Sequence, residues 1–328
     1  MGNPGRGGTP CATPWRAAAA HAEEQLDPGG SDSPCASPRS NDAPPAALIA
    51  LPHLRALQNG EGTTREHGPD SMAFLVSFVL AGLALQLAAH LWPVRRVQPP
   101  AELPVDAVAL VLALVCQVGV AAAAYPLISS IQDVEWVAAS YRALVAAPPL
   151  LCGLLYFLVV DFFAYWMHRL NHTDSLWSTH AFHHSARNLY WASGMRGSPL
   201  HFVLLGLPSL LVLVVYSPEG AVGQLVFVYG VVHNSLIHSN VRVPTRLLNW
   251  IFVTGESHMV HHARDIVHGN RNFGFLFTFW DRMFGTWTEP KSLPPDYPLG
   301  LAYEVSYPRL MIGVPPPRDD QTRSREAL

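Results

Sequence analysis

Histidine is the residue type that sets this sequence apart: of 16 in the chain, twelve fall between His168 and His268. In residues 161–172, DFFAYWMHRLNH, Asp161, Tyr165, His168 and His172 stand at i, i+4, i+7 and i+11, on one face of a helix. Two imidazoles four residues apart can hold one metal ion. A second cluster, THAFHHS, brings His180, His183 and His184, and a third, ESHMVHHAR, repeats the same H-x-x-H-H spacing with His258, His261 and His262. On a helix that spacing offers three ring nitrogens from a single turn to a pair of metals. Between them, VVHNSLIHSN adds His233 and His238. His201 and His268 lack such spacing and read as structural histidines.

The chemistry open to this set is metal chemistry. The four cysteines lie far apart without CxxC spacing, so thiolates are not the ligands. There is no H-E-x-x-H of a zinc peptidase and no G-x-S-x-G nucleophile elbow. Imidazole suits several transition metals. Eight to ten histidines exceed what one tetrahedral ion uses and fit two ions of five or six coordination, which points to a redox pair that handles dioxygen. Asp161, close to the end of an apolar run, is a costly carboxylate without a partner. The expectation is that it accepts a ring N–H from a ligand histidine and fixes its tautomer, with Tyr165 as a further candidate for that role.

Long apolar runs must position these residues. With 49% hydrophobic and 14% charged residues, the chain is poorer in charge than ordinary soluble proteins. Runs at 73–92, 107–128 and 150–167 are long enough for membrane helices. A shorter pair, 201–216 with Pro208 inside and 221–238, reads as two further crossings or a shallow hairpin, joined by SPEG at 217–220. The fold class is therefore all-α: four to five apolar membrane segments carrying a histidine-rich helical cap. Arg95 and Arg96 follow the first run, while Asp133, Glu135 and Arg142 lie between the second and third; the positive-inside rule then puts the histidines on the cytoplasmic side. Five arginines in residues 1–71 run against this orientation unless translation starts at Met72. The net charge of -3 gives no basic surplus for nucleic acid.

Four regions follow: a Gly-, Pro- and Ala-rich disordered tail at 1–71, N-terminal transmembrane helices at 72–149, the histidine domain at 150–288 and a Pro-rich tail at 289–328. In the histidine domain Trp280, Phe284 and Trp287 suit an interfacial belt. Asp281, Arg282 and Gly285 read as structure, and Arg196 and Asn240 as neighbours of the metals or of a substrate.

The order H-x3-H, H-x-x-H-H, a histidine before SNVRVP, H-x-x-H-H, then NFG and WDRMFGTW resembles the fatty acid hydroxylase/sterol desaturase superfamily of integral membrane di-iron oxygenases, over about residues 150–288. The resemblance implies a helical membrane fold with a cytoplasmic catalytic cap and two non-haem irons. It also implies dioxygen as oxidant, a lipid substrate, and electrons from NAD(P)H through a separate cytochrome b5- or ferredoxin-like carrier. By matching position it implies His168, His172, His180, His183, His184, His238, His258, His261 and His262 as ligands, with His233 a less firmly matched tenth. The expected function is lipid hydroxylation or desaturation at an unactivated C–H; the alternative is a histidine-rich membrane protein that binds or transports metal.

Overall fold

The computed structural model describes residues 71–96, 102–216, 229–243, 246–294, 296–304 and 306–314. The expected tail at 1–71 lies outside them apart from its last residue, and so does most of the first half of the fifth apolar run. The described residues are helical, with no β-strand beyond three isolated bridges. Three long apolar helices, α1 (Ser71–Leu91), α2 (Leu103–Gln132) and α4 (Pro149–Asn171), come first, with the short amphipathic α3 (Glu135–Val145) between the last two. After α4 the chain breaks into short pieces: α5 (Trp177–His180), 3-10 turns at His183–Ser185 and Ser193–Met195, then the apolar α6 (Pro199–Val215). A π turn at Tyr229–His233 leads to α7 (Asn234–His238), α8 (Arg246–Ile251), α9 (Gly255–His261), α10 (Ile266–Gly269), α11 (Phe279–Met283) and α12 (Tyr307–Met311).

The apolar runs form helices where the sequence puts them, with boundaries set by proline. Pro104 and Pro149, each in the first turn of its helix, start α2 and α4 where a missing N–H costs nothing. α2 and α4 are both long and apolar enough to cross a membrane, and α1 and α6 are shorter apolar helices. At 1.5 Å per residue α2 reaches about 45 Å, more than a bilayer core needs. The 17 residues of α6 fall short of a full crossing, and the helix continues through Pro208 where the sequence suggests an interruption. The outward faces are apolar: Val111, Val115 and Leu127 on α2 and Leu150, Leu154 and Phe163 on α4 are all exposed. The link between α2 and α4, which carries Asp133, Glu135 and Arg142, folds for the most part as α3 and buries Val137.

The cap is tied to these helices by small apolar cores. Phe182 and Ala181 pack with Ala109 of α2 and Leu310 of α12, and Met195 packs with Phe78 of α1 and Ala113 of α2. Through Leu293, Leu299 and Leu310 the expected Pro-rich tail is folded against the cap as far as residue 314. Arg95, at the end of α1, donates from Nη2 to the Tyr297 carbonyl at 2.6 Å, and Asn240 exchanges hydrogen bonds with the Arg95 backbone. Asn240 is thus a tether between segments, its side chain bonded to the Arg95 backbone and not to a histidine ring.

Candidate metal centre

Nine histidines converge into two groups whose ring nitrogens lie within 4.8 Å of one another in each. One group is His168, His172, His180, His184 and His261; the other is His183, His238, His258 and His262. The two H-x-x-H-H segments divide between them. His180 and His184, four apart, join the first group while His183 crosses to the second; His258 and His262 join the second while His261 crosses to the first. The groups touch face to face, with stacked ring pairs His180–His183 (4.9 Å), His184–His262 (4.4 Å) and His258–His261 (5.3 Å).

Different local folds produce this arrangement. His168 sits in the last turn of α4 and His172 caps its end. The second segment is not the single helix that its spacing predicts: His180 closes α5 and His183 and His184 open a 3-10 turn, as Phe182 between them is drawn into the α2–α12 core. The third segment is a regular helix, α9, started by a reciprocal cap between Thr254 and Ser257. Gly255 lets this start approach the chain after α7, since a Cβ there would stand 2.5 Å from the Ser239 carbonyl.

The ring tautomers follow from their partners. His168 Nδ1 lies 2.8 Å from the Phe273 carbonyl, His183 Nδ1 3.1 Å from that of Arg196, His238 Nδ1 2.7 Å from that of Asn234 and His261 Nδ1 2.9 Å from that of Arg271. A carbonyl only accepts, so each of these Nδ1 atoms carries the proton and each Nε2 presents a lone pair. His183 Nε2 and His238 Nε2 then face each other at 3.1 Å with two lone pairs and no hydrogen between them. His258 Nε2 and His262 Nε2 lie 3.0 and 3.2 Å from the same His238 atom. In the first group the buried Nε2 atoms of His172, His184 and His261 have no partner among the described residues. Such unmet nitrogens cost roughly 1–3 kcal/mol each. Burial holds the ring pKa of His172, His180, His183, His184, His258, His261 and His262 well below the ordinary 6.5, with neighbouring imidazoles adding to the effect in every one of them. The rings are neutral donors near pH 7, and cations placed among them would meet all of these lone pairs at once.

The remaining predicted residues are elsewhere. His233 belongs to neither group; its Nε2 donates to the Phe275 carbonyl at 2.7 Å. Among the described residues no histidine N–H reaches Asp161. Its carboxylate accepts the Leu276 and Phe277 amides and the Trp280 indole N–H at 2.7–3.0 Å, because the loop after α10 turns its amides, not a ring, toward α4. Tyr165 pairs with Thr286 at 2.8 Å and stacks on Phe284. Trp280 and Phe284 pack on Phe162 of α4, and Arg282 lies over the rings of Trp250 and Trp287, so these aromatics join the protein to itself. Gly285 has φ 71°, as its turn position suggests.

His201 and Asn270 were hidden from the sequence as contributors, whereas Arg196, expected beside the metals or a substrate, does touch a site histidine. His201, which spacing marks as structural, stacks on both His180 and His183, with its Nδ1 2.9 Å from His180 Nδ1. Arg196 is fully buried; it ion-pairs with Asp106 of α2 and with Glu102, and donates to Ser185, while its carbonyl holds His183. Asn270 Oδ1 lies 3.0 Å from His172 Nδ1. A lone histidine, a distant carboxylate and a backbone carbonyl leave no pattern to read in a linear sequence.

Residues 153–286 match the family model for fatty acid hydroxylase, a stretch that runs from α4 to the Asp281 loop and holds every histidine of both groups. Over this stretch the chain is similar to the fatty acid hydroxylase family. Among curated proteins the chain is similar to ornithine lipid hydroxylase OlsE of Rhizobium tropici, 31% identical over 164 residues, 45% of this chain and 45% of that one. It is similar to alkylglycerol monooxygenase of Xenopus tropicalis, 31% identical over 143 residues (42% and 30%), and to methylsterol monooxygenase 2-2 of Arabidopsis thaliana, 26% over 136 (40% and 51%). The chain thus spans about half or less of the length of these relatives. No solved structure gives a significant match.

Proposed function

We propose that this protein is a membrane-bound, non-haem di-iron oxidoreductase that acts on an unactivated C–H bond of a lipid, using O2 and electrons from NAD(P)H delivered by a separate cytochrome b5- or ferredoxin-like carrier. The observation that carries the reading is the convergence of nine neutral imidazoles in two groups, four of them held by carbonyls in the tautomer that leaves Nε2 a free lone pair. Their residues fit a metal pair: His168, His172, His180, His184 and His261 would hold one ion, and His183, His238, His258 and His262 the other. When bound, the irons supply oxygen activation and hydrogen abstraction, chemistry that no side chain provides. The protein holds the ligands in one tautomer, keeps them neutral by burial and shields them from water.

The names of the relatives, a hydroxylase and two monooxygenases acting on lipids, favour oxygen insertion over desaturation. The same reading keeps residues 150–288 as the catalytic domain, 72–149 as its N-terminal membrane helices, the histidines on the cytoplasmic side, residues 1–71 as a flanking tail and the Pro-rich 289–328 as a segment packed on the cap as far as residue 314. Metal transport is the weaker reading, since the described parts of α2 and α4 carry two buried acids, Asp106 and Asp161, each already satisfied by protein donors.

Accurate-mass lipidomics tests this on cells making the wild type or the His261→Ala/His262→Ala variant at equal membrane abundance. A lipid that gains one oxygen with the wild type alone is the expected result, and loss of two hydrogens would mark a desaturase. Identical lipids, in cells supplied with iron and a competent electron donor, would overturn the proposal.

A further inference from the structure

Residues 271–277 serve the site through their backbone. Asn272, at φ 52°, occupies the left-handed region that asparagine tolerates, and its side chain is fixed by Ser257 and Thr288. Beyond it, alternate carbonyls face histidines: Arg271 to His261, Phe273 to His168 and Phe275 to His233. The N–H of each of these same peptide groups points the other way, to three different acceptors. The Asn272 N–H donates to the neutral Thr286 carbonyl at 2.9 Å, the Gly274 N–H to Asp281 Oδ2 at 2.8 Å and the Leu276 N–H to Asp161 Oδ1 at 2.7 Å. Each peptide is therefore the middle of a three-part chain from acceptor to imidazole.

Resting on the di-metal reading, we infer that Asp281 is a positioning residue for the five-histidine group, acting on His168 through the Phe273–Gly274 peptide. The buried carboxylate polarises that peptide, which makes the Phe273 carbonyl a stronger acceptor for His168 Nδ1–H and His168 Nε2 a stronger donor. Carboxylates that touch ligand histidines directly do the same, and hydrogen-bonded chains polarise along their length. No space exists for a side chain between the parts: a Cβ on Gly274 would meet Asp281 Oδ2 at 2.9 Å and the Phe277 carbonyl at 2.6 Å. Asp281 also accepts from the Phe273 N–H and the Thr286 hydroxyl, so its charge is held in place against this one segment. The Asp161 chain has the same form and ends on His233, outside both groups. It provides an internal control: both acids brace the segment, and one of them addresses a metal ligand.

The test is cobalt(II) titration of the purified full-length protein in detergent micelles, read by visible absorption. The wild type takes up two equivalents. In Asp281→Asn one of the two binds about tenfold more weakly, the lower end of what outer partners of metal ligands contribute, and its bands move to lower energy as His168 donates less. Asp161→Asn leaves the cobalt spectrum at wild type. An unshifted Asp281→Asn spectrum, or an equal shift in Asp161→Asn, overturns the inference. If Asp281→Asn does not fold, Thr286→Val removes one donor from Asp281 and shifts the bands to higher energy, and an unshifted spectrum there overturns it as well. Failure of the wild type to bind cobalt would instead overturn the di-metal reading.

Discussion

At the scale of single residues, the four carbonyl-held imidazoles define which substitutions should matter. His183→Ala removes a ring whose Nε2 meets His238 and whose Nδ1 is fixed by Arg196. It should abolish turnover and lower the bound metal measured by mass spectrometry, while the protein still fractionates with membranes. His233→Ala should leave metal content unchanged, because that ring lies outside both groups; loss of metal there would dismantle the nine-ligand assignment. His201→Ala lies between the two: it removes a ring stacked on His180 and His183, so metal retention under chelator challenge should fall by about tenfold, as for other partners of metal ligands. The histidines themselves were legible because metal ligands repeat at helical spacing. The pins were not, since a carbonyl is present at every residue and which one meets Nδ1 is decided by tertiary structure. Asp161 shows the difference: the need of a buried carboxylate for donors was predictable, and the donors are amides.

At the scale of elements, α2 is fastened to the site by one buried cation. Arg196 is shared between Asp106 and Glu102, and its carbonyl orients His183, so helix position and ligand tautomer depend on the same residue. Removing one partner of a buried pair costs on the order of 3–5 kcal/mol. Asp106→Ala should therefore lower the melting temperature of the solubilised protein by about 10 °C, using the usual slope for a protein of this size, with metal loss at lower temperature than in the wild type. Gly194→Ala makes a sharper test of close approach. Alanine in place of glycine ordinarily stabilises by reducing the freedom of the unfolded chain, but here its Cβ would stand 2.5 Å from His238 Nδ1. Weaker metal binding by the alanine variant is the expected outcome. The apolar helices α1, α2, α4 and α6 were visible as long runs, whereas α3 was not, because eleven residues of mixed polarity resemble a loop until packed. The break between α5 and the 3-10 turn was equally invisible, as Phe182 leaves the helical path only because a core exists to receive it.

At the scale of the whole molecule, the last described segment is part of the histidine-bearing cap and not an appendage to it. Leu310 is buried against Phe182, the residue between His180 and His183, and the Tyr307 hydroxyl donates to Glu102 at 2.6 Å. On the di-metal reading, truncation before residue 303 should thus lower bound metal even though every histidine is retained, which metal analysis of membranes carrying the short form would detect. The division of each H-x-x-H-H segment between two groups has a different kind of consequence. Because each H-x-x-H-H segment contributes to both groups, the two cannot be assembled in separate stages or inherited as separate parts. A single inserted residue between His180 and His183 would reassign rings in both. On the di-metal reading, the first ion to arrive also arranges the seat of the second, so occupancy should pass from none to two with few half-filled molecules between.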